Sequence, residues 1–154
     1  MKNFKQKVTD NTHKDRALHA PSVTEYMVRH LITFKKDTHI DEVIDTLLEK
    51  RITGAPVLDD HGRMVGLIDD KDCLKVIFGG AYYNYPAAME NVETYMSQVH
   101  KSISTNETVV DAANIFLQTT YKRLQVHDEE GRLVGQVSRR DILKAIKDMK
   151  KQTW

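Results

Sequence analysis

Gly62-Arg63-Met64-Val65-Gly66 and Gly131-Arg132-Leu133-Val134-Gly135 are one pattern written twice. The correspondence extends outward from both. Val23-Thr24-Glu25-Tyr26-Met27 answers to Val92-Glu93-Thr94-Tyr95-Met96, and Asp72-Cys73-Leu74-Lys75-Val76-Ile77 to Asp141-Ile142-Leu143-Lys144-Ala145-Ile146. The offset never changes: 92 − 23, 131 − 62 and 141 − 72 are each 69. A gapless internal repeat makes each copy one supersecondary unit that must bury its apolar face against neighbours. Each copy alone has the size at which a domain is only marginally stable, so mutual packing of the copies is expected, with ligands in the seam.

Each copy carries the same order of periodicities. Ile40, Val43, Ile44, Leu47 and Leu48 fall at helical spacing, as do Val109, Ala112, Ala113, Phe116 and Leu117. Thr38 or Asp37, and Asn106, are suitable N-caps. Ala55–Leu58 and Leu124–Val126 are short strand-like runs. Asp59-Asp60-His61-Gly62 and Asp128-Glu129-Glu130-Gly131 then turn the chain into a second strand, Met64–Ile68 or Leu133–Val137. A last helix follows, with Leu74, Ile77 and Phe78 in one copy and Ile142, Leu143 and Ile146 in the other. The spacing predicts an α/β (α+β) protein of two β-α-β-β-α repeats related by pseudo-two-fold symmetry. The expected divisions are a polar arm at 1–20, the first repeat at 21–78, a linker at 79–91, the second repeat at 92–147 and a basic tail at 148–154. Three tyrosines in the linker, Tyr82, Tyr83 and Tyr85, are expected to pack as satellite core, an interface being the other reading.

Composition narrows the functional classes. The 154 residues carry a formal net charge of +1, so no global field recruits nucleic acid or a membrane surface. The single cysteine, Cys73, excludes an intrachain disulfide and fits a reducing compartment. No apolar run approaches the roughly 20 residues that span a bilayer, and no signal-peptide core is evident, so a cytoplasmic protein is expected. The seven histidines are scattered, none in a His/Cys set at metal spacing. P-loop, GxSxG and HExxH patterns are absent, so no catalytic residue, metal or resident cofactor is expected.

The leading Tyr-Met, the stretch Thr53-Gly54-Ala55-Pro56-Val57-Leu58-Asp59 followed by Gly62-Arg63-Met64-Val65-Gly66-Leu67-Ile68-Asp69, and its echo from Lys122 to Ile146 resemble a tandem pair of cystathionine-β-synthase-type (CBS) domains, a Bateman module. The resemblance covers residues 23–146. It implies a stand-alone regulatory module that binds an adenosine-containing ligand, from the AMP, ADP, ATP, S-adenosylmethionine or cyclic di-AMP class, in the cleft between the repeats. It also implies a homodimer and, since no output domain is evident, signalling through an unidentified protein partner.

Within that resemblance the Ser/Thr-x-x-Asp motif at the entry to the last helix holds ribose and phosphate. The second copy supplies it in full as Ser138-Arg139-Arg140-Asp141. Asp141 would accept the ribose hydroxyls, and Ser138, with Lys122, Arg123 and Arg140, would hold ribose or phosphate beside Arg139. Met27, Leu31 and Ile32 would cover the base. The first copy departs from the motif: Asp69 stands where Ser/Thr belongs, and Thr53-Gly54 replaces Lys122-Arg123. A carboxylate repels phosphate and cannot donate to it. This second site, Asp72 with Thr53, Met96, His100 and Lys101, is expected to be the weaker one. Helix capping alone would also account for Ser138, Asp141, Asp69 and Asp72. A ligand-free dimeric adaptor is therefore the alternative reading.

Overall fold

A computed structural model describes residues 20–78, 90–98 and 101–153. The arm before Ala20, the linker tyrosines, His100 and Trp154 lie outside the described residues.

The first copy forms β1 (Phe34–Lys35), α1 (Ile40–Lys50), β2 (Gly54–Leu58), β3 (Met64–Asp69) and α2 (Asp70–Leu74). The second forms β4 (Ser102–Ser104), α4 (Val109–Gln118), β5 (Arg123–His127), β6 (Leu133–Ser138) and α5 (Arg139–Thr153), preceded by the short helix α3 (Val92–Tyr95). The expected β-α-β-β-α order is present in both. The strands make two three-stranded sheets, β1-β2-β3 and β4-β5-β6. In each, the strand before the long helix pairs parallel with the strand after it: Phe34 faces Val57, and Ile103 faces Val126. β2 and β3 then form an antiparallel hairpin. Gly62 and Gly131 take φ of +78° and +80° in the hairpin turns, the left-handed conformation that favours glycine.

The chain divides into two compact units, and each mixes the copies. Among described residues, one unit contains 20–29, 102–129 and 134–153, and is called here the Asp141 unit. The other contains 30–78, 90–98, 101 and 130–133, the Asp72 unit. Thus the entry segment of the first copy packs with the body of the second. Val23 and Met27 are buried with Ile103, Val109, Leu124, Val126, Val137, Ile142 and Ala145. In the Asp72 unit, Val92 and Tyr95 are buried with Phe34, Ile40, Val43, Leu47, Ala55, Val57 and Ile68.

Backbone pairing fixes each entry segment in place. Val28 and Gln136 exchange both N–H···O bonds, at 2.8 and 2.9 Å, and Leu67 and Ser97 do the same at 2.9 Å. The methionine beside each pairing crosses a glycine. A Cβ added to Gly135 would lie 2.5 Å from the Met27 sulfur and 3.0 Å from the Val28 carbonyl oxygen, and Gly66 is equally closed by Met96 and Ser97. This explains why the repeated pattern ends in glycine.

Three details differ from expectation. The long helices are capped by His39 and Thr108, not by Thr38, Asp37 or Asn106. His39 Nδ1 accepts from the Asp41 N–H at 3.2 Å, and Thr108 forms a reciprocal box with Asp111. Thr38 is occupied in the preceding turn, where its Oγ1 accepts from Lys35 N–H. The core stripe is also narrower than the apolar pattern. Leu48 and Leu117 are 73% and 85% exposed, and Leu74, Ile77, Phe78, Leu143 and Ile146 are exposed too. The last helix buries Ile142 and Ala145 in one copy and packs Cys73 and Val76 in the other. Finally, α5 continues to Thr153 through the stretch expected as a tail. Its far end is tied to the entry segment, Tyr26 Oη donating to Asp148 Oδ2 at 2.8 Å.

Candidate ligand site at the Ser138–Asp141 cap

Strand β6 ends at Ser138 and helix α5 begins at once, so the motif straddles a strand-to-helix junction. The helix needs acceptors for its first N–H groups. Asp141 N–H donates to Ser138 Oγ at 3.2 Å, while Ser138 N–H and Oγ–H both donate to Asp141 Oδ2, at 2.8 and 3.0 Å. The capping reading is therefore correct as far as it goes, but it uses only one carboxylate oxygen. Asp141 is buried, and Oδ1 takes no hydrogen bond among the described residues. That oxygen can accept from a hydroxyl pair or another donor.

Cations surround the junction through sheet topology. β5 and β6 are neighbours, and in the first copy the residues equivalent to Arg123 and Ser138, Gly54 and Asp69, are Cα partners. Lys122 and Arg123 precede and open β5, and Arg140 lies in the first turn of α5. All three are exposed and make no side-chain hydrogen bond or ion pair among the described residues. Arg139 has a different task, which the sequence reading did not assign: its Nε–H donates to the Tyr121 carbonyl at 3.2 Å and ties the Tyr121-Lys122-Arg123 loop to the start of α5. An anion at this junction would meet a helix N-terminus as well as free cations.

The equivalent junction of the Asp72 unit is capped in the same way but closed. Asp72 N–H donates to Asp69 Oδ1 at 2.7 Å and Asp69 N–H to Asp72 Oδ2 at 3.2 Å. The remaining Asp72 oxygen lies 3.4 Å from Lys75 Nζ. Burial first, with the Asp69 charge adding to it, pushes the Asp72 carboxyl above its ordinary range. Gly54 cannot be traded for a cation, because a Cβ there would stand 2.8 Å from the Ile68 carbonyl oxygen. Burial likewise pushes the Cys73 thiol up, as for a packed and unreactive side chain.

The other expected site residues divide between the units. Met27 belongs with Ser138, Asp141, Lys122, Arg123 and Arg140, but it is buried in the core over Gly135. Leu31 and Ile32 belong to the Asp72 unit, where Ile32 packs on that core. Thr53 and Lys101 are exposed, and Met96 is half-buried over Gly66. Among the described residues, no group of three or more His, Cys, Asp or Glu could hold a metal ion. None of their helices is long and apolar enough to cross a membrane.

The profile of the CBS domain matches residues 23–79 and again 92–148. The chain belongs to the CBS domain family. It is 32% identical over 163 residues to the chloroplastic CBS domain-containing protein CBSX1 of Arabidopsis thaliana, covering 86% of this chain and 69% of that one. A Methanocaldococcus jannaschii protein is 30% identical over 124 residues, 80% of this chain but only 42% of its relative. Among solved structures, CBSX2 in complex with AMP superposes with a TM-score of 0.71 at 29% identity, covering 84% of this chain and 98% of the other. The CBS-pair fold is thus shared along nearly the whole described chain.

Proposed function

We propose that this CBS pair is a regulatory, non-catalytic sensor of a 5′-phosphorylated adenosine compound of the AMP, ADP or ATP class, bound at the Ser138–Asp141 junction. The observation that carries the reading is the open Asp141 Oδ1 beside Lys122, Arg123 and Arg140, none of which has a partner among the described residues. Asp141 holds the ribose hydroxyls; Ser138 and the cations hold phosphate. The likeness to an AMP complex of CBSX2 supports the ligand class. Signal output goes to a protein partner in a reducing compartment such as the cytoplasm. Both units expose equivalent apolar residues, Leu48 and Leu117, Leu74 and Leu143, Ile77 and Ile146, which supports pairing with a second copy.

The test separates capping from binding. Ser138→Asp recreates the cap that Asp69 already makes, so its melting temperature should stay close to wild type. It places a carboxylate where phosphate must sit, so AMP affinity, measured by titration calorimetry, should fall about tenfold or more. Asp141→Ala should lose binding together with a cap contribution of about 0.5–2 kcal/mol. The capping hydrogen bonds, which give Ser138, Asp141, Asp69 and Asp72 a structural role of their own, favour a second reading, a ligand-free dimeric adaptor. It prevails if AMP, ADP and ATP all fail to bind or to raise the melting temperature.

A further inference from the structure

Two residues beyond the cap, β5 and β6 carry a polar pair that the sensor reading does not use. Leu124 and Val126 of β5, and Val137 of β6, point into the core. Strand alternation therefore places Arg123, Gln125, Gln136 and Ser138 together on the opposite face. Gln125 is 5% exposed, and its Nε2–H donates to Gln136 Oε1 at 3.1 Å. Its own Oε1 is buried with no hydrogen-bond partner among the described residues. An unmet buried acceptor is costly, and a native one calls for an occupant. In the first copy the corresponding residues are Pro56 and Leu67, which cannot form such a pair.

We propose that Gln125 and Gln136 read the amino edge of the base whose ribose Asp141 holds; the inference rests on the adenosine reading above. Residues two apart on a strand are about 6.5 Å apart, so the pair lies a nucleoside's length from Arg123 and Ser138 along one sheet face. The orphaned Gln125 Oε1 accepts from the exocyclic 6-amino group of adenine. Gln136, whose Oε1 is taken by Gln125, keeps its amide N–H groups for the neighbouring ring nitrogen. A 6-oxopurine offers an acceptor where Gln125 needs a donor. These two side chains are thus specificity-determining residues of the Asp141 unit.

The test compares AMP with inosine 5′-monophosphate, which differ only at that edge, by titration calorimetry on the full chain. Wild type should prefer AMP by about tenfold or more, the penalty of leaving a buried acceptor unpaired. Gln125→Met keeps the volume and should bring the two affinities within about twofold. Gln136→Leu, which takes the residue of the first copy, should reduce the preference as well and serves if the first variant does not fold. Equal wild-type affinities, a preference for the inosine nucleotide, or an AMP preference that survives both substitutions would overturn the inference while leaving the sensor reading intact. If wild type binds neither monophosphate, the comparison is made with ADP and inosine 5′-diphosphate and read in the same way; failure of AMP, ADP and ATP alike to bind would remove both readings.

Discussion

The Asp72 and Asp141 units share a fold, a cap and a glycine–methionine crossing, yet they differ in what remains available once the fold is satisfied. At the Asp72 junction both oxygens of Asp72 have an occupation: Oδ2 accepts from the Asp69 N–H, and Lys75 takes Oδ1. At the Asp141 junction a serine hydroxyl does the capping, Lys144 makes no ion pair with Asp141, and Oδ1 stays open. Identical secondary structure therefore does not make chemically equivalent junctions. A helix cap uses one oxygen of a two-oxygen group, and the fate of the second decides whether the position is only structural.

The sharpest way to break this comparison is to force the units to resemble each other. Gly54→Arg would give the Asp72 unit its missing cation but drive a Cβ into the Ile68 carbonyl. Relief by moving backbone should cost several kcal/mol, on the order of the larger overpacking penalties, or prevent folding, as urea unfolding would show. The reverse change, Arg123→Gly, needs no such movement. It should cost about 1 kcal/mol of stability or less, while weakening AMP binding and leaving adenosine binding nearly unchanged. Equal stability losses in the two variants would mean that space is not what separates the units.

Asp69→Ser probes the same contrast through charge. It restores the Ser-x-x-Asp pattern to the first copy and removes a carboxylate facing Asp72. The folded protein should remain within about 1 kcal/mol of wild type because serine also caps well. It should still acquire no phosphate site, since Gly54 and Thr53 supply no cation. A second molecule of AMP bound per chain in calorimetry would contradict this.

A smaller effect concerns pH. The Asp72 carboxyl is raised above its ordinary value of 3.8, so the folded state keeps a proton that the unfolded chain has released. Stability from this residue is present at low pH and is lost as pH rises from about 3.8 through the raised folded value. Asp72→Asn retains an oxygen for the Asp69 N–H but cannot titrate. Wild-type stability relative to this variant should decline across that window and then level off towards neutral pH. A difference independent of pH would show that the carboxyl is not perturbed. The least effect is expected from Tyr26→Phe, which removes one exposed bond to Asp148 and should cost at most about 1 kcal/mol in thermal unfolding.

Much of this was legible in the chain. Strand and helix order followed from alternating and helical periodicities, and the departures of Asp69 and Thr53-Gly54 from their counterparts already distinguished the two junctions chemically. The misplacements have local physical causes. Thr38 and Asn106 are good capping residues by type, but the cap falls on the last extended residue before helical dihedrals begin, which here is His39 and Thr108. Leu48 and Leu117 obey helical spacing yet lie off the narrower stripe that the sheet can cover. Arg139 read as one cation among four, because its hydrogen bond to the Tyr121 carbonyl joins residues 18 apart.

The sequence by itself determined the repeat, its constant offset, the order of elements within each copy and the residue types at both junctions, because these depend on short-range periodicity and on chemistry within a turn of chain. Only the tertiary structure decided that each core borrows its entry segment from the other copy, that Met27 is spent on packing over Gly135, and that Gln125 is buried with an oxygen unmet among the described residues. Those outcomes depend on which backbone edges pair across long sequence separations and on how closely two chains can approach at a glycine, and neither is encoded in any local window.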